Sequence, residues 1–231
     1  MDILHFGMNG IEEEIKHLRT LKYFDLCKYL QNKYGIPDGD YFVSTSCATP
    51  NQKIKRTDEG LFIHHIKECE FPDLSKKEMA ILMPFEYQKG HNLVYCNYFE
   101  HMLLHMNIVF EFMTKEFIGI YPRLKKPGVV IVGMGGLVNH MFPEIVDYIN
   151  GYEYKRSNFI NALKIIDGNE MLFIDLVKDF ENELSKPKHG SKSLTAGFLQ
   201  GRKFYANFFQ GNMKTNGKIK DLLTLYSNNS K

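Results

Sequence analysis

The stretch that most constrains this chain is residues 97–117, NYFEHMLLHMNIVFEFMTKEF. On a helical wheel of about 100° per residue, Phe99, Leu103, Met106 and Phe110 fall on one side, and His101, His105, Ile108 and Phe112 on the other. Glu100, Asn107, Glu111 and Thr114 form a polar stripe between them. A helix with two apolar faces must be covered on both, so the pattern predicts a central helix with chain packed on either side. Asn97 and Glu100 have the spacing of a reciprocal cap for its first turn. One apolar face carries two histidines four residues apart, which project together and are able to hold one metal ion. Histidine offers little as a helix former, so a chemical reason stands beside the plain one of ordinary core residues.

The rest of the chain alternates helix and strand patterns. Residues 10–35 read as one helix, with Ile11, Ile15, Leu18 and Leu26 near helical spacing and Gly35 as its stop. YFVSTS (41–46) and GLFIHHI (60–66) read as strands, and NLVYC (92–96) as a short third. SKKEMAIL (75–82) has Ser75 and Glu78 at capping-box spacing, with Pro84 limiting the helix. After the turn or linker PRLKKPG, VVIVG (129–133) reads as a strand, GMGG as a tight turn, and MFPEIVDYI and NEMLFIDLVKDFENEL as helices. VVIVGMGG has Val138 where a dinucleotide loop needs its third glycine, so nucleotide binding is not expected. The expected class is α+β.

The four cysteines form no C-x-x-C pair, which excludes a zinc ribbon or a redox motif and leaves free thiols. No apolar run reaches the ~20 residues of a membrane span, and the first residues lack a secretory pattern. A cytoplasmic chain with no membrane partner is expected. Net charge is only +2 but uneven: Lys186 to Lys231 holds nine basic residues and one acid, Asp221, for +8, whereas the first 185 residues hold 20 basic and 26 acidic, for −6. Arg202 and Lys203 interleave there with Phe198, Phe204, Tyr205, Phe208 and Phe209. Cations among aromatics suit phosphate contact and base stacking, which makes Arg202 and Lys203 candidate nucleic-acid contacts; the same aromatics also suit a core.

Five of the nine histidines lie in two short stretches, LFIHHI and HNLVYCNYFEHMLLH. Met102 stands where a zinc protease H-E-x-x-H would have glutamate, so that chemistry is excluded. The order is strand, strand, helix, with His64-His65 on the first strand, Asn92 opening the second, and His101 and His105 on the helix. This constellation resembles the HNH endonucleases, the ββα-metal (His-Me finger) nucleases, and the wider pattern looks like small HNH-like proteins of bacteria and their phages. Asn92 to His101 is nine residues and His101 to His105 four, which match the family pattern. His65 to Asn92 is 27 residues, longer than in compact versions, and the cysteine pairs that brace some members are absent. The resemblance covers roughly residues 55 to 118.

The resemblance implies a ββα-metal core over residues 51–118, between an N-terminal helix-plus-strand segment (1–50) and a mostly helical region with a basic end (119–231). It implies His65 as general base, His64, His101 and His105 as ligands of one divalent ion (Mg, Mn or Zn), and Asn92 as the residue whose hydrogen bonds hold the strand-loop and orient the base. Imidazole suits both tasks, since its ordinary pKa of about 6.5 lets it accept a proton or bind a metal near neutrality. Adjacent strand residues point to opposite sides, so His64 and His65 can serve different partners. The implied activity is metal-dependent cleavage of phosphodiesters, in double-stranded DNA first and RNA second. A two-fold dimer would let one site per chain cut both strands; nicking needs none. The competing class is a non-catalytic, zinc-binding structural or nucleic-acid-binding module. His91 reads as a surface residue, Glu100 as a helix cap, and Arg56 and Lys67 as solvated charges within reach of a phosphate.

Overall fold

The structure, a computed structural model, describes residues 8–112, 133–155, 157–184 and 221. The strand expected at 129–133 lies almost wholly outside them, and the basic end with Arg202 and Lys203 outside them entirely.

The chain is α+β and mostly helical. In order come α1 (Met8–Leu18), α2 (Tyr23–Tyr34), β1 (Phe62–His65), α3 (Lys77–Ala80), β2 (Leu93–Cys96), α4 (Tyr98–Phe112), α5 (Met134–Gly136), α6 (Phe142–Ile149), α7 (Ser157–Leu163) and α8 (Glu170–Leu184). A π-helical turn, Leu137–Met141, joins α5 to α6. β1 and β2 form a two-stranded antiparallel sheet with Phe62 opposite Cys96, Ile63 opposite Tyr95, His64 opposite Val94 and His65 opposite Leu93.

α4 is the axis of the fold. Asn97 and Glu100 cap it as the spacing predicts: the Asn97 amide donates to Glu100 (2.7 Å) and the Glu100 amide to the Asn97 side chain (3.0 Å). The sheet and α2 pack on one side of α4, and α5 with the π turn on another. Farther along, Phe110 meets Phe180 of α8, which also meets Phe142 of α6. One apolar cluster thus runs from Ile15 to Leu184.

Glu100, Asn107 and Glu111 of the polar stripe on α4 all make long-range hydrogen bonds. Glu100 is fully buried, bound by Lys33 (2.8 Å) and Tyr34 (3.0 Å). Asn107 donates to the Leu21 carbonyl, and Glu111 accepts the Tyr23 amide at 2.7 Å. These bonds explain why residues 10–35 are two helices, not the single one expected. At Arg19–Lys22 the backbone leaves the helix, and α4 side chains take up its freed groups at Leu21 and Tyr23. Gly35 ends α2 at φ +82°, as a helix stop should.

Three other expectations are corrected. Residues 41–46 form no strand: Phe42 makes an isolated bridge to Pro50, and the intervening chain closes on itself through Val43 to Thr49 and Cys47 to Ser44. Ser75 and Glu78 make no capping box, because α3 starts later, with Lys76 as its uncapped N-terminal residue. Residues 134–136 are helical, not a turn. All four cysteines are buried free thiols, and among the described residues no helix is long and apolar enough to cross a membrane.

Candidate metal centre

His64 points from β1 toward α4, where His101 and His105 project from one face. One ligand nitrogen from each lies within 4.8 Å of the others, a set able to hold a metal ion. The Nε2 atoms of His101 and His105 stand 3.2 Å apart. His64 and His105 are buried and His101 partly so.

Hydrogen bonds fix two of the three tautomers. The Tyr23 hydroxyl has one proton, and it donates to the Ile66 carbonyl at 2.9 Å. Toward His64 Nε2, also 2.9 Å away, it acts as an acceptor, so Nε2 carries the hydrogen. His64 Nδ1 is left with its lone pair, buried and without any hydrogen-bond partner. His105 Nδ1 lies 3.0 Å from the Gly133 carbonyl, which can only accept, so Nδ1 is protonated and the Nε2 lone pair faces His101. Metal-binding imidazoles are held this way, the outer nitrogen donating and the inner one free. Burial pushes all three imidazoles below their ordinary pKa, helped at His64 and His101 by the neighbouring rings and opposed at His105 by the Gly133 bond; His105 falls to about 4, and the two others are lowered well below their usual value. They are neutral at pH 7, as ligands must be. A buried orphan lone pair within this donor set fits a bound cation.

Gly133 and Gly136 form the wall behind His105. A Cβ on Gly136 would sit 2.5 Å from His105 Cε1 and 2.6 Å from its Nδ1. Gly133 has φ +84°, and a Cβ there would sit 2.8 Å from the His105 carbonyl oxygen. Only glycine allows this approach and the backbone turn that aims the 133 carbonyl at the ring.

His65 faces other partners. Its Nε2 lies 2.9 Å from Gln88 Oε1 and its ring centroid 4.5 Å from that of Tyr41. Burial lowers its pKa to about 4, against a smaller upward pull from the Gln88 bond. His65, His101 and His105 all line one cleft of about 550 Å³, with Glu68, Asp73 and Lys76 at its wall. Glu68 Oε2 is 3.6 Å from the orphan His64 Nδ1, too long for a hydrogen bond. Burial, and secondarily the charge of Asp73, raise its carboxyl to about 7.

Asn92 makes no hydrogen bond to His65. Its side chain donates to the Glu86 carbonyl (2.9 Å) and so closes the 86–92 loop that carries Gln88. His91 is exposed and 2.6 Å from Glu86, and Glu100 is a cap. Arg56 is held by Glu59 and the Tyr34 carbonyl, and Lys67 by Glu70. The sequence reading missed Tyr23, Gln88, Glu68 and Gly133. Glu68, three residues past the histidine pair, carried a local signal; Tyr23 and Gln88 carried none, because only the tertiary fold brings them to the imidazoles. Comparison with protein-family models, curated proteins and solved structures finds no match to this chain.

Proposed function

We propose that this chain is a metal-dependent endonuclease of the HNH type that hydrolyses phosphodiester bonds in DNA, on a ββα-metal core formed by β1, β2 and α4. The observation that carries the reading is the division of labour between two adjacent histidines. His64 joins an all-imidazole donor set with His101 and His105, and His65 stands outside that set in the cleft that His101 and His105 line. Three ligands, two of them lining a cleft, leave coordination positions open, as catalytic sites do, whereas structural zinc sites close with four. That favours the enzyme over the structural zinc module.

His64, His101 and His105 would hold the ion, which when bound supplies positive charge to the phosphate oxygens and to the leaving oxygen. His65 takes the proton of the attacking water, a role open to an imidazole that is neutral at pH 7. The Asn92 bond to Glu86 keeps the 86–92 loop closed beneath His65. Lys76, the lysine lining the cleft, pairs with Asp73 at 2.8 Å, so backbone phosphates away from the scissile one need cations beyond the cleft.

The test is supercoiled plasmid with the pure protein in Mg²⁺, Mn²⁺, Zn²⁺ or EDTA, beside His65→Ala. Metal-dependent cleavage is expected, and His65→Ala should bind metal normally but lose about 10²- to 10⁴-fold in rate. Cleavage that persists in EDTA, or unchanged turnover in the variant, overturns the reading.

A further inference from the structure

Gln88 is fully buried and its side chain has two partners. Its amide nitrogen donates to the Leu74 carbonyl at 3.2 Å. Its amide oxygen faces His65 Nε2 at 2.9 Å. The reversed amide is excluded chemically: it would set the Gln88 oxygen against the Leu74 oxygen, two acceptors with no hydrogen between them. With the oxygen toward His65, Nε2 must carry the hydrogen, because an amide oxygen cannot donate.

We infer that Gln88 is a positioning residue that locks His65 in the Nε2–H tautomer and leaves Nδ1 as the nitrogen able to accept a proton. The inference rests on the role proposed for His65, but it concerns which nitrogen is basic and what holds it. Tyr41, with its ring against His65, limits ring motion from the other side. The Leu74 carbonyl fixes Gln88, and the Asn92 bond to Glu86 fixes the loop bearing it. Asn92 therefore acts on His65 at one remove, through Gln88. A glutamine is required over an apolar residue of equal length because only an acceptor at Oε1 selects the tautomer. A neutral glutamic acid would reproduce both bonds, its carbonyl oxygen accepting from His65 and its hydroxyl donating to Leu74.

The experiment is a long-range ¹⁵N–¹H correlation spectrum of the histidine rings in the full-length, metal-free protein at pH 7, with His65 assigned by its loss in His65→Ala. It is run on wild type, Gln88→Met and Gln88→Glu, beside plasmid cleavage. Wild type should show His65 as the Nε2–H tautomer. Gln88→Met should shift it toward a mixture and lower kcat about 10- to 100-fold with KM little changed, the usual cost of losing such a support. Gln88→Glu should keep the wild-type tautomer. An Nδ1–H tautomer in wild type, or an unchanged spectrum in Gln88→Met, overturns the assignment. If Gln88→Met does not fold, the wild-type and Gln88→Glu spectra decide it. Absence of cleavage by wild type counts against the nuclease reading alone, because the tautomer is read without turnover.

Discussion

At the scale of single residues, the centre depends on which nitrogen of each imidazole is left bare. A tyrosine hydroxyl and a backbone carbonyl make that choice for His64 and His105. Tyr23→Phe keeps the ring volume and its edge contacts to His64 and Phe112 but removes the acceptor at Nε2. His64 is then free to protonate either nitrogen. Zinc affinity measured by titration calorimetry should fall about 10- to 100-fold, the cost typical of losing an outer-shell partner of a ligand. The loss of the bond to the Ile66 carbonyl should also cost about 1 kcal/mol of stability. Wild-type zinc affinity in the variant would mean that Tyr23 does not set the His64 tautomer.

At the scale of elements, the sheet brings His64 and the helix brings His101 and His105, but α5 decides whether His105 points correctly. Its glycines are not equivalent. At Gly135 an added Cβ would meet only the Asn139 side chain, at 3.7 Å, an ordinary contact. At Gly136 it would overlap the His105 ring. Gly135→Ala should be neutral or stabilising by up to about 1 kcal/mol, the helix-propensity gain. Gly136→Ala should lose that gain to the clash, lower the melting temperature and weaken zinc binding at least tenfold. Thermal unfolding and calorimetry on the pair make the comparison. Equal behaviour of the two variants would show that α5 is not the seat of His105.

At the scale of the whole molecule, burying four imidazoles ties stability to pH. In the unfolded chain they titrate near 6.5, whereas in the folded chain His65 and His105 fall to about 4 and His64 and His101 are lowered well below their usual value. As pH drops below 6.5 the unfolded chain gains protons that the folded chain refuses, so stability is lost toward pH 4. Glu68 and Glu100 work in the opposite sense, since burial raises both carboxyls, Glu68 to about 7. Four groups against two leave the unfolded state binding more protons between about pH 5 and 6.5, so stability rises with pH across that window. Urea unfolding in EDTA should give a lower midpoint at pH 5 than at pH 7. An equal or higher midpoint at pH 5 would show that the four imidazoles are not buried together in the metal-free protein.

The central helix, its Asn97–Glu100 cap, the two short strands and the shared face of His101 and His105 were legible in the sequence. Each is a local matter, decided by side-chain period or by groups three and four residues apart. The alternation of His64 and His65 was legible for the same reason, because a strand sends neighbours to opposite sides. The break between α1 and α2 was not, since the groups that satisfy it, Asn107 and Glu111, lie more than 80 residues away. Nor was the role of the polar stripe on α4: a wheel shows that Glu100 is polar, not that Lys33 and Tyr34 will meet it in the core. Sequence thus named the chemical groups of the site. Tertiary structure alone decided their protonation, because a histidine's basic nitrogen is set by whichever acceptor the fold brings to the other one, and here Tyr23, Gln88 and Gly133 arrive from three distant parts of the chain.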